Sequence, residues 1–413
     1  MLFLITVSMY FISFLVLSFI SFSRQSYIQT NIENMSMENI MAVASVFTLL
    51  IGLYLFLTLR NKVNLKQKSI IVLAAAIIFL LFITPPLLSV DIYAYVIYAK
   101  SMATSNINIY SNSLSDLASN PWIKEINVWW NTLPAAYGPL FYFIIMPIGL
   151  AGNILTASYL YKIVNIIFYI FTLFLLKKLI NLLSLDSKIF YLFLLNPSLL
   201  IHVFLDGHND ILIIFLLLLS IYFLIKNKNE YAVISNSLSI LIKYIPVIFL
   251  PVFVFKNGKN YVSNVLKTIL ITAVLITISL IPLFIKWENT KITDPLNGLM
   301  LFYINPQAGC LYRCSPFIAL SNSLFLNNAS FFRLITYTAA YLYFIYRFLY
   351  KVSEPVKFMF WSFVGFLFLY ISWVTPWYAL VPITLSFLLF KEQKYIYLNV
   401  LLTAYSLWHY FFI

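Results

Sequence analysis

Residues 196–230 read NPSLLIHVFLDGHNDILIIFLLLLSIYFLIKNKNE. A polar turn, Asp206-Gly207-His208-Asn209-Asp210, divides two apolar runs, and the second run stays uncharged until Lys226 and Lys228. A helix made from such a run has no polar face to offer water, so it belongs inside a core or a bilayer. The same pattern extends in both directions. Apolar segments separated by polar punctuation fall at 2–22, 40–59, 69–88, 155–176, 189–204, 210–225, 231–243, 245–256, 265–285, 331–350, 356–373, 376–390 and 395–412. Because a perpendicular crossing needs about 20 residues, this pattern predicts an all-α, polytopic transmembrane helical protein with about 11–13 membrane helices. The stretch 231–256 is interrupted by Lys243 and Pro246 and is one bent crossing or two short ones. The stretch 139–151 is too short to span and is expected to lie in the membrane or re-enter it from one side.

Composition agrees with this reading. Hydrophobic residues make up 62% of the 413 and charged residues 9%, against a usual 45–50% and roughly 25%. The mean hydropathy is +0.93. Too little charge is present to keep a globule of this size soluble, which excludes a soluble enzyme, a disordered chain and a secreted disulfide scaffold. The net charge of +13 would point to nucleic acid in a soluble protein. Here the Lys and Arg residues sit mostly in short gaps between apolar runs, so no nucleic-acid partner is expected and the partner is the lipid bilayer. Met1 to Phe22 lacks a basic start and is followed by Ser23 and Arg24 rather than a clear cleavage site. It is read as the first membrane helix rather than a signal peptide.

The basic gaps set an orientation. With the N-terminus in the cytoplasm, Arg60, Lys62, Lys66 and Lys68, then Lys177, Lys178 and Lys188, then Lys226 and Lys228, Lys256, Lys259 and Lys267, Arg347, Lys351 and Lys357, and Lys391 and Lys394 all fall in cytoplasmic loops, as the positive-inside rule requires. Asp91, Asp116, Glu125, Asp206, Asp210, Glu288 and Asp294 then gather on the outer face. Two long polar loops, 89–138 and 286–330, lie there too. Tyr93, Tyr95, Tyr98, Tyr110, Trp122, Trp129 and Trp130 in the first of them predict amphipathic interfacial helices resting at the headgroup level.

Asp91 follows a hydrophobic helix and starts the run Ile92–Met102. It is either a functional acid, the default for an ionisable group at this depth, or an N-cap. Asp206, His208, Asn209 and Asp210 exceed what one cap needs. They fit either sugar hydroxyls or a divalent cation, with Asp206 and Asp210 as its ligands and sharing a face if the helix begins at Asp206. His202, one turn earlier, is read as structural. Lys243 either snorkels to the interface or pairs with an anion such as a lipid phosphate. Arg313 and Arg333 are further phosphate candidates, since the guanidinium fork matches phosphate oxygens. Tyr137, in Tyr137-Gly138-Pro139-Leu140, and Trp377 and Tyr378, in Thr375-Pro376-Trp377-Tyr378, are interface anchors or stacking platforms for a sugar or prenyl chain. Cys310 and Cys314 are either two thiols or a small disulfide ring in an oxidising compartment. There is no glycine-rich phosphate loop, no Gly-x-Ser-x-Gly elbow, no paired Cys-x-x-Cys motif and no His-Glu-x-x-His. ATP-driven transport within the chain is therefore not expected.

An acid after a hydrophobic helix, an aromatic loop ending in Tyr137-Gly138-Pro139-Leu140, Asn196-Pro197, Gly207-His208-Asn209-Asp210, Lys243 before Pro246 and Pro251, and Pro376-Trp377-Tyr378 occur in that order. Across roughly residues 85–385 this set resembles the integral-membrane glycosyltransferases of the type C fold (GT-C). It is most similar to the polyprenol-phosphate-mannose-dependent mannosyltransferases of bacteria and archaea. Where members of that family often show Asn-Pro-Tyr, this chain has Asn108-Ile109-Tyr110. The resemblance implies a plasma-membrane enzyme that moves a sugar, mannose in the nearest relatives, from a polyprenyl-phosphate-linked donor to an extracytoplasmic glycan, lipid or protein acceptor. It implies Asp91 as the catalytic base. It also divides the chain into peripheral helices at 1–60, a GT-C-like catalytic module at 61–285 carrying loop 89–138, a second outer loop at 286–330 and C-terminal helices at 331–413. A single base opposite the leaving phosphate predicts inversion, while Lys243, Arg313 or a metal near Asp206 and Asp210 would stabilise the departing anion. A transporter or flippase of lipid-linked saccharides, a non-catalytic envelope scaffold and an oligosaccharide ligase are the competing readings.

Overall fold

The computed structural model describes residues 2–23, 35–59, 67–105, 107–117, 122–123, 133–255, 261–287, 290–297, 316–325, 328–350, 354–371 and 374–411. Among these residues there are helices, turns and no strand. Among the described residues four helices are long and apolar enough to cross a membrane: Ile5–Phe22, Met37–Leu59, Ile154–Leu182 and Tyr261–Lys286. The pair Lys188–Leu194 and Pro197–Leu205, bent by 41°, is either a broken fifth span or a re-entrant loop. The molecule is an all-α, multi-pass membrane protein. Its lipid-facing surface agrees, since the Tyr261–Lys286 helix exposes Val262, Leu266, Ile269, Leu270, Ile278 and Ile285, a surface that only hydrocarbon accommodates at this extent.

Helices form where the apolar runs predict them, and among the described residues several of them are shorter than a full span. Lys68–Ile83, Pro139–Leu150, Asp210–Ile225, Ile245–Phe255 and Pro355–Tyr370 are shorter apolar helices. Proline and polar side chains supply the interruptions. Asn196 caps the segment Pro197–Leu200 by accepting from the Leu199 N–H at 3.1 Å, and Pro197 fits the first helical position because its missing N–H is not needed there. The Asn196 amide is held in turn by Thr403 Oγ1 at 2.9 Å. At the opposite end of the bundle the Asp210–Ile225 helix closes on Asn227 at φ 56°. The Lys228 N–H bonds Phe223 O at 2.9 Å and the Asn227 N–H bonds Leu224 O at 3.1 Å, the paired closure of a helix C-terminus on a left-handed residue. Ser184, at φ 50°, closes the Ile154–Leu182 helix in the same way.

The first long loop holds the Asp91–Thr104 helix. Expected to lie amphipathically at the headgroups, it is instead buried over Asp91–Ala99, Ser101 and Met102. The turn Met146–Leu150 and the helices Pro139–Ile145 and Ile154–Leu182 pack around it. Its tyrosines thus form an internal cluster rather than a membrane belt. Tyr95 meets Tyr137, Phe141 and Tyr161 edge-on at centroid distances of 5.3, 5.3 and 5.7 Å, contacts of about 0.5–1.5 kcal/mol each beyond their burial. The N-terminal helices join this body. The Thr84 hydroxyl donates to Ser18 Oγ at 2.9 Å and the Tyr54 hydroxyl to Asn399 Oδ1 at 2.7 Å.

Candidate active site

Asp91 is delivered by a short strap, Thr84 to Val90, that leaves the Gln67–Ile83 helix at Pro85-Pro86. Three side chains from elsewhere hold the strap. Asp206 Oδ1 accepts from the N–H groups of Leu87 and Leu88, each at 3.0 Å. Lys162 Nζ donates to Leu81 O at 3.1 Å and Thr84 O at 2.7 Å, covering carbonyls that a helix C-terminus leaves without partners. Ser21 Oγ donates to Pro85 O at 2.8 Å. Val90, not Asp91, takes the N-cap position, and no side chain caps this helix. Asp91 sits in the first turn, where the helix dipole favours a carboxylate. Its side chain keeps 12% of its surface open, against 0% for His208 and 2% for Asp210. The acid therefore stands at the mouth of a closed polar cluster.

The turn 206–210 forms the wall beside it. Gly207 has φ +75°, and a Cβ there would meet Ile92 Cδ1 at 2.6 Å, so only glycine brings this turn against the Asp91 helix. Asn165 Nδ2 donates to Val203 O and His208 O, both at 3.2 Å. The His208 ring then stacks on Trp377 with centroids 3.6 Å apart and planes 16° from parallel, and its Nδ1 lies 3.8 Å from Asp91 Oδ2. Asp206 and Asp210 do not share a helical face, because the helix begins at Asp210 and Asp206 precedes it. One oxygen of Asp206 serves the strap, while Asp210 turns to Lys243. The group with metal-like spacing is instead His202, Asp206 and His208, whose ligand atoms lie within 4.8 Å of one another.

Lys243 ends the Asn229–Ile242 helix in an extended conformation, just before the turn Ile245–Phe249. It does not snorkel. Its side chain is 1% exposed and Nζ pairs with Asp210 Oδ1 at 2.9 Å, 4.1 Å from the centre of the Tyr378 ring and 5.6 Å from that of Tyr137. Tyr137 is pinned there by Gly138, whose N–H bonds Ile242 O at 2.9 Å and whose Cβ, if present, would sit 2.1 Å from Leu241 O. The Tyr95 and Tyr137 hydroxyls are 3.1 Å apart.

Several buried polar atoms in this region have no hydrogen-bond partner among the described residues. They are both ring nitrogens of His208, both side-chain polar atoms of Asn209, Asp210 Oδ2 and Trp377 Nε1. Each such group costs about 1–3 kcal/mol of stability. Their concentration beside one carboxylate is therefore what a polar ligand with many hydroxyls would satisfy. Asp91, Tyr137, His208, Asn209, Asp210, Lys243, Trp377 and Tyr378 come together here, with Asp206 behind them. Arg313, Cys310 and Cys314 lie outside the described residues. Arg333 donates to Asn322 Oδ1 at 2.9 Å and Ser330 Oγ at 3.1 Å. Sequence reading missed Lys162 and Asn165, a cation and an amide one turn apart in an otherwise apolar helix of 29 residues. A polar pair inside a membrane segment was the signal available.

The family model of the alpha-(1->6)-mannopyranosyltransferase N-terminal domain matches residues 3–257. That range includes Asp91, Lys162, Asn165, the 206–210 turn and Lys243, while Trp377 and Tyr378 lie beyond it. No curated protein matches the chain. With more than half of its length matched, and with an acid, an imidazole and a lysine converging in a helical membrane body, the chain belongs to the alpha-(1->6)-mannopyranosyltransferase family and is a membrane mannosyltransferase of the GT-C type.

Proposed function

We propose that the chain transfers mannose from a polyprenyl-phosphate-linked donor to an extracytoplasmic glycan, lipid or protein acceptor, with Asp91 as general base and inversion at the anomeric carbon. The observation that carries this reading is the placement of Asp91, the open member of an otherwise sealed polar cluster. An acceptor hydroxyl entering from the open side loses its proton to Asp91 as its oxygen bonds to the anomeric carbon. The bond from that carbon to the phosphate oxygen breaks on the opposite face, and polyprenyl phosphate leaves as an anion. Lys243, held by Asp210 and flanked by Tyr137 and Tyr378, is the cation that meets the phosphate. His208, Asn209 and Trp377 line the sugar. The prenyl tail remains in hydrocarbon, which explains why this chemistry is built into a membrane body.

Charge asymmetry supports the sidedness. The Asp210–Ile225 helix runs from the cluster to Lys226 and Lys228, and 16 residues at about 1.5 Å each separate the two ends by about 24 Å. The basic end faces the cytoplasm in this reading, as does the N-terminus, and the cluster opens to the outer face of the plasma membrane.

The test is transfer from radiolabelled polyprenyl-phosphate-mannose by purified protein, with an envelope glycan extract as acceptor. Asp91→Asn is expected to lower turnover by about 10²–10⁴-fold, the contribution of a positioned base, with thermal unfolding unchanged. Equal rates in the two proteins would remove Asp91 as the base. Transfer from another polyprenyl-phosphate sugar but not from the mannose donor would overturn the donor assignment.

A further inference from the structure

Beside the proposed sugar site, and sharing His208 with it, lies a second constellation. His202, Asp206 and His208 each present a ligand atom, and these atoms lie within 4.8 Å of one another at fully buried positions. We infer that His202, Asp206 and His208 form a zinc-class metal site that fixes the 206–210 turn against Asp91.

Each of the three side chains is fixed on the side away from the shared space. His202 Nε2 is engaged by Ser406 Oγ at 2.9 Å, while Nδ1 faces Asp206 Oδ2 at 3.9 Å and meets the Tyr410 hydroxyl at a longer 3.5 Å. Asp206 Oδ1 is engaged by the backbone N–H groups of Leu87 and Leu88, which leaves Oδ2 without a hydrogen-bond partner. The His208 ring is clamped by its stack on Trp377, and both its nitrogens lack hydrogen-bond partners. Metal-ligating imidazoles and carboxylates are characteristically oriented by such a second polar contact, which His202 and Asp206 have here. A merely structural cluster would use those atoms on each other. Yet the His202–Asp206 separation of 3.9 Å is too long for a hydrogen bond.

Two imidazoles and one carboxylate make a borderline nitrogen and oxygen set, which favours zinc over magnesium or calcium. Metal–ligand distances of about 2.0–2.1 Å place tetrahedral ligand atoms roughly 3.3 Å apart, so the site tightens modestly on binding. Charge agrees with a cation. Asp91, Asp206 and Asp210 are buried here beside Lys162 and Lys243, so carboxylates outnumber ammonium groups. A metal at this point would tie the strap before Asp91, the 206–210 turn and, through Ser406, the Gln393–Trp408 helix into one unit.

The test reads metal content and stability, so it does not depend on the transferase reading and is answered even by an inactive chain. Protein purified without a polyhistidine tag is stripped with EDTA, reloaded with zinc, dialysed and assayed by inductively coupled plasma mass spectrometry. About one zinc per chain is expected to survive dialysis, and reloading is expected to raise the unfolding temperature, since a ligand that binds only the folded state stabilises it. His202→Ala, His208→Ala and Asp206→Asn are each expected to lose the retained zinc and the shift. Should these variants fail to fold, X-ray absorption at the zinc edge of the wild-type protein must show two imidazole ligands. Absence of retained zinc in wild type, retention unchanged in folded His202→Ala and His208→Ala, or an edge spectrum without imidazole would each overturn the inference.

Discussion

The two ends of the Gln393–Trp408 helix show what burial does to the same ionic chemistry. At its start Glu392 meets Lys394 at 2.8 Å and also Lys357, which pairs with Glu354 at 2.8 Å, and most of these side chains are open to water. Toward its end Ser406 holds His202, and the helix packs beside a cluster in which Lys243 and Asp210 are 1% and 2% exposed. The first network can be rearranged at little cost because water replaces any lost partner. The second cannot. A buried charge without its partner has no solvent to turn to, so geometry there is fixed by electrostatics as much as by packing.

The sharpest way to test that contrast is to break the buried pair from each side. Lys243→Met alone, or Asp210→Leu alone, leaves one charge buried and is expected to cost about 3–5 kcal/mol, whereas Lys243→Met with Asp210→Leu is expected to recover most of that loss. Thermal unfolding of the four proteins in one detergent checks this. Additive losses in the double variant would mean that the two charges are solvated independently. Transfer activity is expected to stay absent in Lys243→Met and in the double variant, because the double variant regains stability without the cation.

A second contrast separates holding from reacting. Asp206 touches the strap rather than the acceptor, so it is a positioning residue for Asp91. Asp206→Ala removes two charge-assisted hydrogen bonds, each worth about 1.5–3 kcal/mol. It is expected to lower kcat while leaving KM nearly unchanged. Asp206→Asn keeps an oxygen for Leu87 and Leu88, so turnover is expected to return partly. A rise in KM in both variants would instead place Asp206 against the substrate.

The helical membrane body was legible in sequence, because apolar runs and polar interruptions are local features, and Asp91, the 206–210 turn, Lys243 and Trp377-Tyr378 stood out there as separate polar or aromatic interruptions. Partner choice was not legible. Lys243 reads equally as snorkelling or as phosphate-binding until the Asn229–Ile242 helix is packed on Asp210–Ile225, after which Asp210 is its nearest anion. Asp206 and Asp210 look like one ligand pair at four-residue spacing, yet the helix start at Asp210 sends them apart. His202, Lys162 and Asn165 act across elements distant in sequence, on Ser406, Leu81 and His208 respectively. Among the described residues, the interruption read at Lys243 and Pro246 is a helix end at Ile242 followed by a short turn, and Asn196-Pro197 marks a bend of 41° that the apolar run alone does not show.

The smallest effect belongs to the exposed network, and its size is the point. Hydrogen bonds from Lys357 and Lys394 lower the Glu392 carboxyl from its ordinary range. A carboxylate whose folded value is lowered contributes stability above its unfolded pKa and loses it as pH falls through the lowered folded value. Glu392 is 37% exposed and its two lysines 20% and 60%, so water and salt screen most of this contribution. Glu392→Gln is therefore expected to cost about 0–1 kcal/mol near neutral pH and nothing once acid has protonated the wild-type group. Unfolding temperatures of wild type and variant, measured from neutral to acidic pH at low and high salt, check both the size and the sign. The two curves are expected to converge toward acid and, at neutral pH, toward high salt. A difference as large as that for the Lys243 and Asp210 variants would show that the basic end of the bundle is less open to water than its surface implies, and the contrast between the two ends of this helix would then fail.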